Sequence, residues 1–129
     1  MKSIKIIIVL FSIISLVLTS NISSGTNQDA QYLAFAEVMP EPVGGIGGII
    51  KSIVYPEMAR RSRIEGKVYV QAHINENGVA QEVNLVRGIG AGCDEVALEA
   101  VKKAKYTPGK NKGQNVKVKL TMAITFKLN

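Results

Sequence analysis

The chain has 129 residues, a net charge of +6, one cysteine and only 5% aromatic residues. That length suits one domain rather than two, and a lone cysteine excludes an internal disulfide. The basic residues are spread over several segments with few rings among them, which excludes a nucleic-acid surface built on a basic stripe with stacking aromatics.

Lys2 and Lys5 form a short basic head, and an apolar run follows over residues 6–18. Thr19, Ser20, Asn21, Ser23, Ser24 and Gly25 then take over. This is the order of a basic head, an apolar stretch and a small-residue cleavage zone in a secretory signal. The run of about 13 residues is short of the ~20 that cross a bilayer comfortably, although counting on to Ile22 gives about 17. Residues 1–25 therefore read as a signal peptide, with an uncleaved N-terminal anchor as the alternative. Either one exports the chain. A single cysteine, Cys93, agrees with an oxidising compartment.

Residues 26–50 show no sustained period and read as a linker. Pro40 and Pro42 flank Glu41, and Gly44-Gly45-Ile46-Gly47-Gly48 is a loop by composition. No Lys-Ser or Lys-Thr pair follows at the offset a phosphate cradle requires.

Residues 51–129 read as the folded domain. Pro56 suits a first helical position, and the helix it opens runs over residues 57–63 with Met58, Ala59 and Ser62 on one side, ended by Gly66. Val68, Val70, Ala72 and Ile74 then alternate with Lys67, Tyr69, Gln71 and His73, the pattern of a half-buried strand. Asn77-Gly78 is a strong hairpin signal, and a second strand spans residues 79–87, with Val83 and Leu85 on one face. After Gly88-Ile89-Gly90-Ala91-Gly92, a helix begins with Asp94 as cap or first-turn acid and Glu95 favourable to the dipole. Ala97, Leu98, Val101 and Ala104 form its apolar stripe, and Pro108-Gly109 stops it. Residues 110–115 read as a polar turn.

The last segment alternates longest. Val116, Val118, Leu120, Met122, Ile124, Phe126 and Leu128 share one face, at roughly 1.5–3 kcal/mol each when buried. Lys117, Lys119, Thr121, Ala123, Thr125 and Lys127 share the other, which reads as solvated. At about 13 residues it outruns both hairpin strands, and a strand longer than its partners leaves backbone groups unpaired at an edge. The expected fold is α+β in the order α-β-β-α-β, a small antiparallel three-stranded sheet with two helices on one face.

No catalytic constellation emerges. The glycines at 88, 90 and 92 precede no acidic residue at the spacing a dinucleotide site needs, and their strand belongs to a hairpin. His73 is the only histidine, so no metal set assembles, and on a polar strand face it reads as solvated. Cys93, at a helix start, reads as a small apolar residue at the helix base, with a lowered-pKa thiol as the alternative. No cofactor and no enzymatic activity are expected.

The ordered set of segments resembles the C-terminal domain of TonB-type energy transducers. Its parts are Tyr55-Pro56 with Ala59, Ile64-Glu65-Gly66-Lys67-Val68, Asn77-Gly78, Val86-Arg87-Gly88, Asp94-Glu95 with Ala97-Leu98, Tyr106-x-Pro108-Gly109-Lys110 and Ile124-x-Phe126. Met39-Pro40-Glu41-Pro42-x-Gly44-Gly45 looks like the lead-in of one branch. The resemblance implies that the final strand is an open edge, onto which a peptide from an outer-membrane receptor (the TonB box) adds as a further strand. Carried onto this chain, the platform is Val116, Lys117, Val118, Lys119, Leu120, Thr121, Met122, Ala123, Ile124, Thr125 and Phe126. A second contact region maps to Ser52, Ile53 and Val54. Ala123 stands where many members of that branch have proline.

The resemblance also implies a periplasmic location, free or tethered to the inner membrane. Family transducers carry a long proline-rich spacer and a membrane helix with a polar histidine that engages a motor of the ExbB-ExbD type. Neither pattern is present in residues 1–50, so the binding role is implied and the force-transducing role is left open. The alternative is a periplasmic adaptor or assembly protein using the same fold without force transduction. A homodimer through paired edges is a third reading.

Overall fold

Nine consecutive residue pairs join β2 (Gly66–Ile74) to β7 (Val118–Phe126), antiparallel from Gly66↔Phe126 to Ile74↔Val118. The computed structural model describes residues 31–129, so the signal or anchor expected over residues 1–25 lies outside the described residues. On its other side β2 pairs antiparallel with β3 (Ala80–Arg87), giving the sheet order β3-β2-β7. Period-two alternation places Val68, Val70, Ala72 and Ile74 on one face, all fully buried, beside Met122, Ile124 and Phe126.

That face is covered by helices. α2 (Glu57–Arg61) buries Ala59, and α3 (Cys93–Lys103) buries Cys93, Ala97 and Val101. The expected α-β-β-α-β order is present, with additions. β1 (Glu41–Pro42) and α1 (Gly45–Ser52) form where the sequence reads as linker. β1 pairs with β4 (Tyr106–Thr107), and Val43 N–H donates to the Lys105 carbonyl at 2.8 Å. Those anchors and the burial of Ile49 hold α1 despite its glycines, each of which disfavours a helix by about 1 kcal/mol relative to alanine. The residues expected as a polar turn are a hairpin of β5 (Gly109–Asn111) and β6 (Gln114–Val116).

Some local boundaries differ from the sequence reading. α2 stops at Arg61, with Arg63 at a positive φ of 51°, so Gly66 opens β2 and does not end the helix. Met58 faces solvent and Ala59 alone is buried, because the helix is too short to present a stripe. Leu85 is exposed and Val83 half-buried, so the expected core face of β3 is only partly covered. The β2–β3 turn uses Asn75 as well as Asn77-Gly78. Its carboxamide oxygen accepts from the Asn77 and Val79 amides, and its carbonyl accepts from Gly78 N–H at 3.0 Å.

Candidate functional site

β7 is an edge strand among the described residues, with β2 on one side only. The continuous platform expected over residues 116–126 is divided. Val116 ends β6 and pairs with Gly109, Lys117 links the two strands, and the three-stranded sheet begins at Val118. The alternation runs unbroken through this point because the change of partner strand is tertiary.

One end of the outer edge carries an isolated bridge from the chain itself. Leu33 bridges Val118 in parallel. Leu33 N–H donates to the Lys117 carbonyl at 2.9 Å, and Lys119 N–H donates to the Leu33 carbonyl at 2.8 Å. Backbone groups point to alternate sides along a strand, so the amides and carbonyls of Lys117, Lys119, Thr121, Ala123 and Thr125 face away from β2. Those of Leu120, Met122 and Ile124 face β2. Beyond Lys119 no described strand pairs with the outward groups of Thr121, Ala123 and Thr125. Ala123, unlike a proline, keeps an amide N–H to donate there.

The sheet's other face is not uniformly solvated. His73 is only 2% exposed. The Tyr32 ring stacks on it with centroids 4.7 Å apart and planes at 26°, and its Nδ1 lies 3.5 Å from a Glu82 carboxylate oxygen. Tyr32 spans β2, β3 and the approach to β7: its hydroxyl donates to Gln81 on β3 at 2.9 Å, while Lys117 Nζ, just before β7, sits 5.7 Å from its ring centroid. Burial, then the charges of Glu76 and Glu82, push the Tyr32 phenol above its ordinary pKa. Thr121, Thr125 and Lys127 are exposed as expected, whereas Lys117, Lys119 and Ala123 are half-buried. Tyr32 and Leu33 are the residues that sequence reasoning missed here, and His73, expected to be solvated, is buried. The cue was Tyr32-Leu33-x-Phe35, an apolar cluster inside an otherwise polar and glycine-rich stretch.

The glycine loop before α3 has a structural role. The Asp94 carboxylate accepts from Ile89 N–H at 2.8 Å and Gly90 N–H at 3.1 Å. It closes the loop and leaves α3 without a side-chain cap. A Cβ on Gly88 would sit 2.3–2.5 Å from that carboxylate. The amides a phosphate cradle would use are already bonded to the chain's own Asp94 carboxyl oxygens. Burial, then Asp94 and Glu95, raises the Cys93 thiol above its ordinary pKa, opposite to the direction a reactive thiolate needs.

The sequence profile described as the Gram-negative bacterial TonB protein C-terminal matches residues 51–128. The chain belongs to the TonB C-terminal family. The fold is also that of the TonB C-terminal domain of Pseudomonas aeruginosa in solution, at a TM-score of 0.52 and 24% identity over 70% of this chain and 87% of that one. The Helicobacter pylori TonB C-terminal domain is 30% identical over 65% of this chain and 79% of its own, at a TM-score of 0.44. No curated protein matches the chain. The family consists of non-catalytic domains with a TonB-like role in transport, which interact with outer-membrane receptors.

In this TonB-family chain the second region, Ser52, Ile53 and Val54, leaves α1 along an open groove of about 480 Å³. Ser52 Oγ donates to the Ile49 carbonyl at 2.6 Å, Ile53 packs on the core and Val54 is exposed. Val96, Ala100 and Ala104 of α3 and its C-terminal end line the opposite wall, and no residue of β7 lines the groove. The two regions expected to contact a partner are therefore not walls of one cleft. Among the described residues no helix is long and apolar enough to cross a membrane, and no group of metal-ligating side chains assembles.

Proposed function

We propose that this chain is an exported TonB-like binding module that engages outer-membrane receptor segments by strand addition along β7, in support of energy-dependent transport. The observation that carries the reading is the outer edge of Thr121, Ala123 and Thr125, whose outward amides and carbonyls meet no described strand. Such an edge takes an extended peptide through backbone bonds, with selectivity from alternate side chains. Thr121 and Thr125 are exposed on the face opposite the core, so their side chains would flank those of an added strand on that face.

Residues 1–25 supply export in this reading, and an inner-membrane motor of the ExbB-ExbD type is the partner if they remain as an anchor. The test is a calorimetric titration of the full chain with a synthetic TonB-box peptide from an outer-membrane receptor. Saturable 1:1 binding that Thr121→Pro weakens supports strand addition. Equal affinity for both proteins sinks it.

A further inference from the structure

Each of residues 31–33 contacts the sheet or the approach to β7, and Leu33 sits on the β7 edge itself. Lys117 Nζ donates to Gln31 Oε1 at 3.2 Å. Tyr32 spreads over His73 and reaches Gln81. Leu33 exchanges two backbone bonds with Lys117 and Lys119. The chain then turns off the edge, and Val38 exchanges two bonds with Lys110 on β5. This is a single parallel β-bridge that the protein makes on one end of its own β7 edge. The seat on the sheet face fits an aromatic ring with a hydroxyl, since His73 supplies a stacking surface, Lys117 a cation near the ring and Gln81 an acceptor.

We propose that residues 31–33 are a built-in occupant of the β7 edge, which a parallel peptide carrying an aromatic residue for the His73 seat displaces when it uses the whole strand. The inference rests on reading β7 as the docking edge. A tethered segment competes at the high effective concentration its short connection gives it. A free peptide therefore sees only the fraction of molecules whose edge is vacated, and its apparent affinity falls by that fraction. The occupant is built to leave. Leu33 is 41% exposed, and its two backbone bonds are each of modest net worth in water.

The test uses the full chain as wild type, Tyr32→Ala, Leu33→Pro and, as a control outside the seat, Phe35→Ala, which alters a side chain 83% exposed. Amide exchange is followed at Lys119, whose N–H bonds to Leu33, and binding is measured for a labelled synthetic peptide copying residues 30–36. Lys119 exchange at least ~10-fold faster in Tyr32→Ala and Leu33→Pro is expected. Peptide binding to these two variants, at least ~10-fold tighter than to wild type, should restore Lys119 protection. The Phe35→Ala protein should match wild type. Unchanged Lys119 exchange in both seat variants overturns the proposal, as does a peptide that binds all four proteins alike. A receptor peptide run in parallel separates the two readings. If it binds none of the proteins while Lys119 responds as expected, the built-in occupant stands and the receptor reading falls.

Discussion

Tyr55 and Phe126 meet edge to face, their ring centroids 5.7 Å apart and their planes at 82°. The Tyr55 hydroxyl also donates to the Ile64 carbonyl, so the Tyr-Pro segment is tied both to the approach to β2 and to the far end of β7. The candidate edge is thereby fixed along its length: Phe126 is pinned by Tyr55, nine pairs join the strand to β2, and Val118 is buried beside Gly109. An incoming strand meets a template already in place, which lowers the ordering cost of binding.

Proline scanning along β7 should show a parity. Thr121→Pro removes an outward N–H and leaves the β2 ladder whole. We predict peptide binding weakened by about three- to tenfold, the worth of one backbone hydrogen bond, with Tm nearly unchanged. Met122→Pro removes an inward N–H from a buried position and should cost ~3 kcal/mol, or more than ~10 °C in Tm. Thermal melts and a titration of both variants check this. Equal destabilisation by the two would place the outward groups on the wrong residues.

Gly78 carries a constraint the turn type alone does not give. Its φ is +78°, and a Cβ there would lie 1.9 Å from the Tyr106 carbonyl oxygen, while Tyr106 N–H donates to the Gly78 carbonyl at 3.0 Å. Gly78→Ala is predicted to cost ~3 kcal/mol, combining left-handed strain with a lost hydrogen bond. Gly113, at a similar φ of +76° with open space around it, should cost only ~1 kcal/mol on change to alanine. Denaturant melts of the two variants measure the difference.

Stability should fall at alkaline pH. Burial pushes the Tyr106 phenol up to about 12 from an ordinary value of 10, and its hydroxyl donates to the Val101 carbonyl at 2.6 Å. The folded state thus keeps a proton that the unfolded state has lost, so unfolding becomes easier as pH rises. The contribution is fully present below pH 10 and is lost progressively towards pH 12, for a total of about 2–3 kcal/mol. Tyr106→Phe should lower stability at neutral pH by about 1 kcal/mol and flatten the alkaline slope. Melts at pH 8, 10 and 11 test it, and an unchanged slope in the variant would assign the effect elsewhere.

The parts of the fold legible from sequence are those set by local period. Val68, Val70, Ala72 and Ile74 and the even positions from Val118 to Phe126 announce strands buried on one face, and the stripe on α3 announces its core side. α1 was not legible because its glycines argue for a loop. Its anchors are Tyr106, Thr107 and Lys105, far along the chain. The burial of His73 depends on contacts such as the Tyr32 stack, likewise distant in sequence, so its place on a polar strand face gave no sign of it. The edge was expected from excess strand length, yet β7 and β2 are nine residues each and pair throughout, so β7 is an edge by the sheet order β3-β2-β7 and not by its length. Its division at Lys117 and its partial occupation by Leu33 were set by tertiary pairing that no local pattern encodes.

The most direct test is residue-resolved amide exchange on the full chain, with and without a synthetic TonB-box peptide from an outer-membrane receptor. Strand addition on β7 predicts new protection at the Thr121, Ala123 and Thr125 amides, while Leu120, Met122 and Ile124, already bonded to β2, change little. Peptide binding that leaves those three odd-numbered amides unprotected, with protection arising instead along the groove between α1 and α3, would contradict it.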